Sequence, residues 1–241
     1  MVKGRVLSVE TMGLVDGPGI RVVVFMQGCS LRCSFCHNPD SWNFCGGDEI
    51  TTDELMKKIL RFRPYFERSG GGVTFSGGEP LLQSEFLLEM LKKCRQEKIH
   101  TCIDTAGVGN GEYDEILSYA DLVLYDVKAI DSESYKKLCG TDIKHTEMFQ
   151  QALNRNKVKT IVRQVVIPGV NDSDEYMLKL KDYINKNISV AVGVELLPYH
   201  SLGAYKYKKL GIPYLMEDVP DMDKDATHDM WEKFFEKRLD N

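Results

Sequence analysis

Three cysteines close together carry the clearest chemical signal in the sequence. Cys29, Cys33 and Cys36 have the spacing C-x-x-x-C-x-x-C and follow the apolar run 22–26. Three thiolates at this spacing can bind one metal centre, but they leave a tetrahedral site one ligand short. An iron–sulfur cluster with three cysteine ligands has one open iron, and an open iron can bind a substrate. The spacing therefore predicts a [4Fe–4S] cluster that takes part in chemistry.

The alternative for the same cysteines is a structural zinc site with His37 or Cys45 as the fourth ligand. Zinc sites usually combine one C-x-x-C pair with a second pair further along the chain. No such second pair is formed by the other cysteines, which are Cys94, Cys102 and Cys139. The cluster is therefore favoured, and a zinc-binding interaction module is the competing function.

Composition and charge narrow the remaining classes of protein. The chain has 241 residues, of which 43% are hydrophobic and 28% charged, as in ordinary globular proteins. The formal net charge of -5 does not favour general binding to nucleic acids or anionic membranes. We find neither a secretory signal nor an apolar run long enough to span a bilayer. We therefore expect a cytoplasmic protein whose seven cysteines are reduced, catalytic or metal-binding.

Short β-branched runs alternate with amphipathic stretches along the chain. A capping box at Thr51 and Glu54 predicts a helix that reaches residue 63. Such alternation indicates a parallel sheet, and its few units suggest a curved, partly open barrel rather than a closed one. The predicted strands are 21–27, 72–76, 100–104, 122–127, 160–167 and 192–197, and the other predicted helices are 84–97 (capped by Ser84), 112–120, 146–156, 173–187 and 227–238.

Polar residues stand in or just beyond the C-terminal ends of these strands. Barrel-type α/β enzymes place their active sites at that face of the sheet, so we expect one shared site there. The residues concerned, besides the three cysteines, are Gly77, Gly78, Glu79, Asp104, Thr105, Asp126, Lys128, Arg163 and His200.

Each of these residues also has a simpler structural explanation. The glycine pair before Glu79 is typical of a strand-to-helix turn, although glycines also let a backbone approach a ligand. Asp104 and Asp126 could be helix N-caps, and Lys128 could merely pair with Asp126. A lone histidine such as His200 is more often structural than catalytic.

A tight turn at 16–21 precedes the first predicted strand. One proline and two glycines explain why the chain turns there. The flanking Asp16 and Arg21 could present polar groups to a peptide.

Taken together, these motifs resemble the radical S-adenosylmethionine (SAM) superfamily. The resemblance is carried by the cysteine motif, with Phe35 before its last cysteine, and by Gly77-Gly78-Glu79 downstream. More narrowly, the chain is similar to the glycyl-radical-enzyme activating family over nearly its whole length. The segments that carry this narrower similarity are 16–21, 27–29, 36–38, 126–128 and 197–203.

The resemblance implies a fold and a set of site residues. The fold is α/β, a partial, open (β/α)6 TIM-like barrel with N-terminal and C-terminal extensions, in one domain spanning 1–241 with its cluster loop at 28–38. SAM would complete the cluster that the three cysteines bind. Its other contacts would be Phe35, Cys36, His37, Gly77, Gly78, Glu79, Asp104, Asp126, Val127, Lys128, Arg163 and His200. A monovalent cation, Na⁺ or K⁺, would be bound by Asp104, Thr105, Leu124 and Asp126.

The resemblance also implies a reaction and partners. The reduced cluster would cleave SAM, and the 5′-deoxyadenosyl radical would take a hydrogen from a glycine Cα of a glycyl radical enzyme under anaerobic conditions. A flavodoxin or ferredoxin would supply the electron, and the protein would be a monomer. Contact with the glycine loop of the partner is expected from Asp16, Gly17, Pro18, Gly19 and Arg21.

One absence narrows the choice of partner. Many other activators carry a ferredoxin-like insert with further cysteines before the Gly-Gly-Glu motif, whereas this interval contains only Cys45. Activators of ribonucleotide reductase are typically shorter than this chain. Both differences favour a partner of the pyruvate formate-lyase type. The alternatives are a different glycyl radical enzyme or radical SAM chemistry on a small molecule.

Overall fold

An eight-stranded sheet forms the centre of the structure, a computed structural model that describes residues 2–236. The strands are β1 (Lys3–Gly13), β2 (Arg21–Met26), β3 (Asp48–Thr51), β4 (Gly72–Gly77), β5 (His100–Thr105), β6 (Leu122–Asp126), β7 (Thr160–Val166) and β8 (Ala191–Pro198). Their order is β3-β1-β2-β4-β5-β6-β7-β8. Neighbours run parallel from β2 to β8, and β1 lies antiparallel to both β2 and β3. This mostly parallel open sheet confirms the predicted partial TIM-like barrel.

Most of the helices pack against one face of the sheet, whereas the helix that begins at Ser132 packs with the cysteine loop. The helices are α1 (Thr52–Leu60), α2 (Arg63–Ser69), α3 (Ser84–Gln96), α4 (Tyr113–Ser118), α5 (Ser132–Cys139), α6 (Lys144–Asn156), α7 (Asp174–Asn187), α8 (Ala204–Leu210) and α9 (Lys224–Phe235). The capping box at Thr51 is confirmed, and Ser173 and Asp223 cap α7 and α9 with their side chains. The prediction of Ser84 as a cap is wrong, because it is the first residue of α3. No helix within residues 2–236 is both long and apolar enough to cross a membrane.

The six predicted strands are confirmed, and each observed end lies within one residue of its prediction. The pattern does not predict β1 or β3, because polar residues interrupt both strands. It also misses α2, α5 and α8, which are short. The predicted helix 227–238 begins earlier, at Lys224, and its last two positions lie outside the described residues.

Alternation along the strands separates a helix-covered face from a site-bearing face. Ile103 packs in the main core against the helices, whereas its neighbour Cys102 faces the other side with Leu124. Successive side chains of a strand point to opposite faces, so every second residue shares the face of Cys102. Polar residues on this face include Ser76, Asp104, Asp126 and Arg163.

Candidate active site

A cavity of about 260 Å³ lies at the C-terminal ends of the parallel strands. The structure brings most of the predicted site residues into its wall. These residues are Asp16, Cys29, Cys33, Phe35, Cys36, His37, Gly77, Gly78, Glu79, Asp104, Thr105, Asp126, Lys128 and Arg163. The predicted residues outside the wall are Gly17, Pro18, Gly19, Arg21, Leu124, Val127 and His200.

The loop that carries the cysteines, 28–38, lacks regular secondary structure but is held by neighbouring elements. The Arg32 N–H donates to the Cys139 carbonyl at 2.9 Å. The Ser34 N–H donates to the Leu138 carbonyl at 2.8 Å. These two bonds fix the middle of the loop against the C-terminal end of α5.

Burial raises the pKa of the loop thiols. It raises the pKa of Cys29 to about 12 and that of Cys36 to about 11. The pKa of Cys33 is raised first by its hydrogen-bonding contact with the Cys139 thiol and then by burial. The free thiols therefore keep their protons at neutral pH, and a metal centre must displace them.

The spacing of these thiols does not suit a single ion. Among the described residues, no three His, Cys, Asp or Glu side chains converge on one ion-sized point. A multi-iron cluster takes its ligands at wider separation than one zinc ion does, and it prefers thiolates. The donor set in this cavity therefore fits an iron–sulfur cluster.

The pair Gly77 and Gly78 allows two chain segments to cross at close range. Gly77 has a φ of +106°, and a Cβ on it would lie 2.3 Å from the Met26 nitrogen. A Cβ on Gly78 would lie 2.2 Å from the Gly28 carbonyl oxygen. Close contact with the end of β2, for Gly77, and with the start of the cysteine loop, for Gly78, is thus sufficient reason for both glycines. Their role in admitting a ligand stays a prediction.

Glu79 links the cysteine loop to the end of β5. Its N–H donates to the Gly28 carbonyl at 2.9 Å. Its carboxylate accepts from the Thr105 hydroxyl at 2.6 Å and from the N–H groups of Ala106 and Leu81 at 2.9 and 3.1 Å. Burial nevertheless raises the pKa of Glu79 to about 7, which means that desolvation outweighs these three donors.

Two carboxylates and two cations alternate in the cavity wall. Asp126 and Lys128 form an ion pair at 2.7 Å, and an Asp104 oxygen lies 3.9 Å from an Arg163 nitrogen. The second Asp104 oxygen accepts from the Ser76 hydroxyl at 2.6 Å. Burial, and then the charge of Asp126, raises the pKa of Asp104 to about 6. Neither carboxylate caps a helix, so that alternative is wrong.

An aromatic group lies beside the cysteines. The rings of His37 and His200 stack with centroids 4.0 Å apart, and His37 Nε2 lies 2.8 Å from the His200 carbonyl oxygen. Burial lowers the pKa of His37, so its neutral ring dominates at neutral pH. The Lys128 nitrogen lies 5.7 Å from the centre of the Phe35 ring, within cation–π range.

The structure corrects the role expected for Arg21. Its side chain is fully buried and donates to the Thr74 hydroxyl and the Val73 carbonyl, both at 2.6 Å. Arg21 therefore holds the turn 16–21 from within and cannot touch a partner directly. Asp16, by contrast, lines the cavity, and burial raises its pKa.

Three further residues support the site, and the sequence pattern does not single them out. Glu195 on β8 accepts from Arg163 at 2.8 Å. Ser76 binds Asp104, as described above, and the Tyr207 hydroxyl of α8 donates to the Cys36 carbonyl at 3.0 Å. Each contact joins residues far apart in the chain, so only the register of the sheet and the packing of α8 reveal them.

Comparison with known families and proteins gives consistent results. Residues 23–180 match the model of the radical SAM superfamily. The chain is 54% identical over 240 residues to a pyruvate formate-lyase-activating enzyme of Clostridium pasteurianum, with 100% of each chain covered. It is 44% identical over 239 residues to the enzyme of that name from Staphylococcus epidermidis, covering 96% of this chain and 95% of the relative.

Solved structures show the same fold. A domain of a pyruvate-formate lyase-activating enzyme from Bacteroides vulgatus matches with a TM-score of 0.52 and 25% identity, covering 70% of this chain and 93% of that one. A radical SAM methyltransferase from Sphaerobacter thermophilus matches with a TM-score of 0.62 and 15% identity, covering 98% and 74%. At the lower identity the likeness concerns the fold alone.

Proposed function

The chain belongs to the radical SAM superfamily and to its pyruvate formate-lyase-activating family, and on this basis we propose how its residues carry out the activation. Its function is the activation of pyruvate formate-lyase by radical SAM chemistry. When bound, the cluster and SAM supply one-electron cleavage of SAM and removal of a hydrogen atom from a glycine Cα of the partner. This membership excludes the zinc-binding module. The observation that carries the assignment to this cavity is that the three cysteines and the strand-end polar residues share one wall.

We propose that Cys29, Cys33 and Cys36 hold the cluster and that the strand ends hold SAM. Phe35, His37 and Lys128 form the wall beside the cysteines, where an aromatic surface and a positive charge suit the adenosyl and carboxylate parts of SAM. The remaining contacts in the wall are Cys36, Gly77, Gly78, Glu79, Asp104, Asp126 and Arg163.

Two residues predicted to contact SAM, Val127 and His200, do not line the cavity. The Val127 side chain packs in the main core, and its N–H donates to the Arg163 carbonyl at 2.9 Å, so only its carbonyl is open to SAM. His200 lies behind His37, and its buried Nδ1 has no hydrogen-bond partner. We propose that His200 acts by orienting His37, and through Nδ1 if SAM reaches it.

We further propose a monovalent cation, Na⁺ or K⁺, between Asp104 and Asp126. The supporting observation is a buried Asp104 oxygen without any hydrogen-bond donor, next to a second carboxylate that raises its pKa. A cation there would relieve both effects. Thr105 and Leu124 would contribute backbone carbonyls, because the Thr105 hydroxyl already binds Glu79 and the Leu124 side chain is packed.

The partner contacts are also proposals. Asp16 is the residue of the turn 16–21 that reaches the cavity, so it is placed to meet the glycine loop of the partner. Gly17, Pro18 and Gly19 would shape that turn, and Arg21 would hold it from inside. We propose a flavodoxin or ferredoxin as the electron donor, a monomeric state, a cytoplasmic location and one domain spanning 1–241.

The decisive experiment is anaerobic activation of pyruvate formate-lyase followed by electron paramagnetic resonance. The purified protein is mixed with pyruvate formate-lyase, SAM and a chemical reductant. We expect about four irons and four sulfides per chain and a glycyl radical signal in the partner. Cys94→Ala, a buried thiol on α3 away from the cavity, is the matched control and should activate normally.

Two outcomes separate the alternatives. SAM cleavage without a radical in pyruvate formate-lyase would point to another glycyl radical enzyme or to a small-molecule substrate. A colourless protein that binds zinc and does not cleave SAM would refute the proposal altogether.

A further inference from the structure

Helix α5 forms the wall behind Cys33. The carbonyls of Cys139 and Leu138 accept the N–H groups of Arg32 and Ser34, the two neighbours of Cys33 in sequence. Because these bonds lie on either side of Cys33, its Cα is held beside the end of α5. Cys139 is fully buried and is not among the residues that line the cavity. It therefore lies behind Cys33 as seen from the cluster site.

Cys33 and Cys139 pack in the same buried cluster. An S–H group is a weak donor whose natural acceptor is a more negative sulfur. Once Cys33 is a thiolate bound to iron, it becomes the acceptor and Cys139 the donor.

Tyr135 extends this arrangement by one helical turn. It precedes Cys139 by four residues, so the two side chains lie on the same face of α5. Tyr135 is 1% exposed, and its hydroxyl has no hydrogen-bond partner. Its side chain packs in the same buried cluster as Cys139 and Cys33. Buried hydroxyls are rarely left unpaired in native proteins, so this one needs an acceptor.

We propose that Cys139 and Tyr135 form a donor pair behind the cluster, in which the Cys139 S–H donates to the Cys33 sulfur and the Tyr135 O–H supports Cys139. Hydrogen bonds to cluster sulfurs withdraw negative charge and favour the reduced, more negative state. The pair therefore raises the reduction potential of the cluster and eases its reduction by the electron donor. Both are positioning residues that act through Cys33. The proposal rests on the proposed function only in requiring that the cluster is present.

The test is a redox titration of the cluster-loaded protein, followed by electron paramagnetic resonance of the reduced cluster without SAM. Cys139→Ala removes the donor, Cys139→Ser keeps one, and Tyr135→Phe removes the supporting hydroxyl. We expect Cys139→Ala to lower the ratio of reduced to oxidised cluster about tenfold at a fixed potential, which corresponds to about 59 mV for one electron. Tyr135→Phe should shift the ratio in the same direction by less, and Cys139→Ser should stay near the wild type.

Cys94→Ala serves as the control for Cys139→Ala. Cys94→Ala makes the same substitution at an equally buried thiol of α3 and should leave the midpoint unchanged. An unchanged midpoint in fully loaded Cys139→Ala overturns the proposal. If Cys139→Ala fails to take up iron, an unchanged midpoint in Tyr135→Phe overturns it instead. A wild-type protein without iron would contradict the proposed function itself, so the two failures are distinguishable.

Discussion

Asp104→Asn should make the protein more stable near neutral pH, at the expense of its function. Burial and the neighbouring charge of Asp126 raise the pKa of Asp104 from 3.8 to about 6. That change corresponds to about 3 kcal/mol of unfolding free energy, at 1.36 kcal/mol for each pKa unit. The pKa of Asp104 is higher in the folded protein than in the unfolded chain. Its contribution to the unfolding free energy is therefore fully present below pH 4 and is lost as the pH rises through 6.

Asparagine has the shape of the protonated carboxyl and no charge to lose. The difference in unfolding free energy between Asp104→Asn and the wild type should therefore be small at pH 4 and should grow to about 3 kcal/mol in favour of the variant at pH 7.5. The assay is urea unfolding of the metal-free protein under argon, in buffers without Na⁺ or K⁺. Each variant is measured across the pH range, because only the difference between variants isolates one carboxyl.

Asp182→Asn on the exposed side of α7 is the matched control and should show a small difference that does not change with pH. Added K⁺ should stabilise the wild type at pH 7.5 more than Asp104→Asn, because the cation offsets the buried charge. A wild-type-to-variant difference that stays constant from pH 4 to 7.5 would refute the reasoning about Asp104.

Cys29→Ala should lose most of its iron and all SAM cleavage, whereas Cys94→Ala should keep both, as measured by iron analysis and by chromatography of the products. Asp16→Ala should weaken activation of pyruvate formate-lyase more than SAM cleavage without the partner; equal losses would place Asp16 at SAM instead. Arg21→Met should lower the unfolding free energy by about 3 kcal/mol, because it removes the buried hydrogen bonds from Arg21 to the Thr74 hydroxyl and to the carbonyls of Val73 and Pro18. Urea unfolding measures that loss.

The parallel strands are predictable because each is a short apolar run between turn residues. The two-residue period of a strand also tells which residues share a face. Asp104 lies two residues beyond Cys102, and Asp126 lies two residues beyond Leu124. All four side chains therefore point away from the helices. Strand β1 could not be predicted in the same way, because only one of its faces is partly covered and its polar residues obscure the apolar pattern.

Contacts between strands could not be predicted, because they depend on register. Arg163 meets Glu195 only because β7 and β8 pair these two residues, after an irregularity at the start of β7 shifts the register. For Arg21 the prediction is wrong, because a charged residue next to a turn is normally expected at the surface. Its buried guanidinium donates to a carbonyl and a hydroxyl on β4, and no local pattern of the sequence reveals these partners.

Cys139 changes how the cysteine motif should be tested. It packs in the same buried cluster as Cys33, so in Cys33→Ala its sulfur could replace the missing ligand. A retained cluster in Cys33→Ala would then not argue against Cys33 as a ligand. The informative variant is the double substitution of Cys33 and Cys139 by alanine, compared with each single change.

The cysteine loop itself owes its shape to the rest of the molecule. Residues 28–38 form no helix or strand, yet Glu79 holds their start and α5 holds their middle. Their end is held by Tyr207, which donates to the Cys36 carbonyl. These contacts come from the second strand unit, the fourth unit and the C-terminal extension, so the cluster site requires these distant parts of the chain to be folded. The three cysteines would hold the cluster, and the contacts from the rest of the molecule position the loop that carries them.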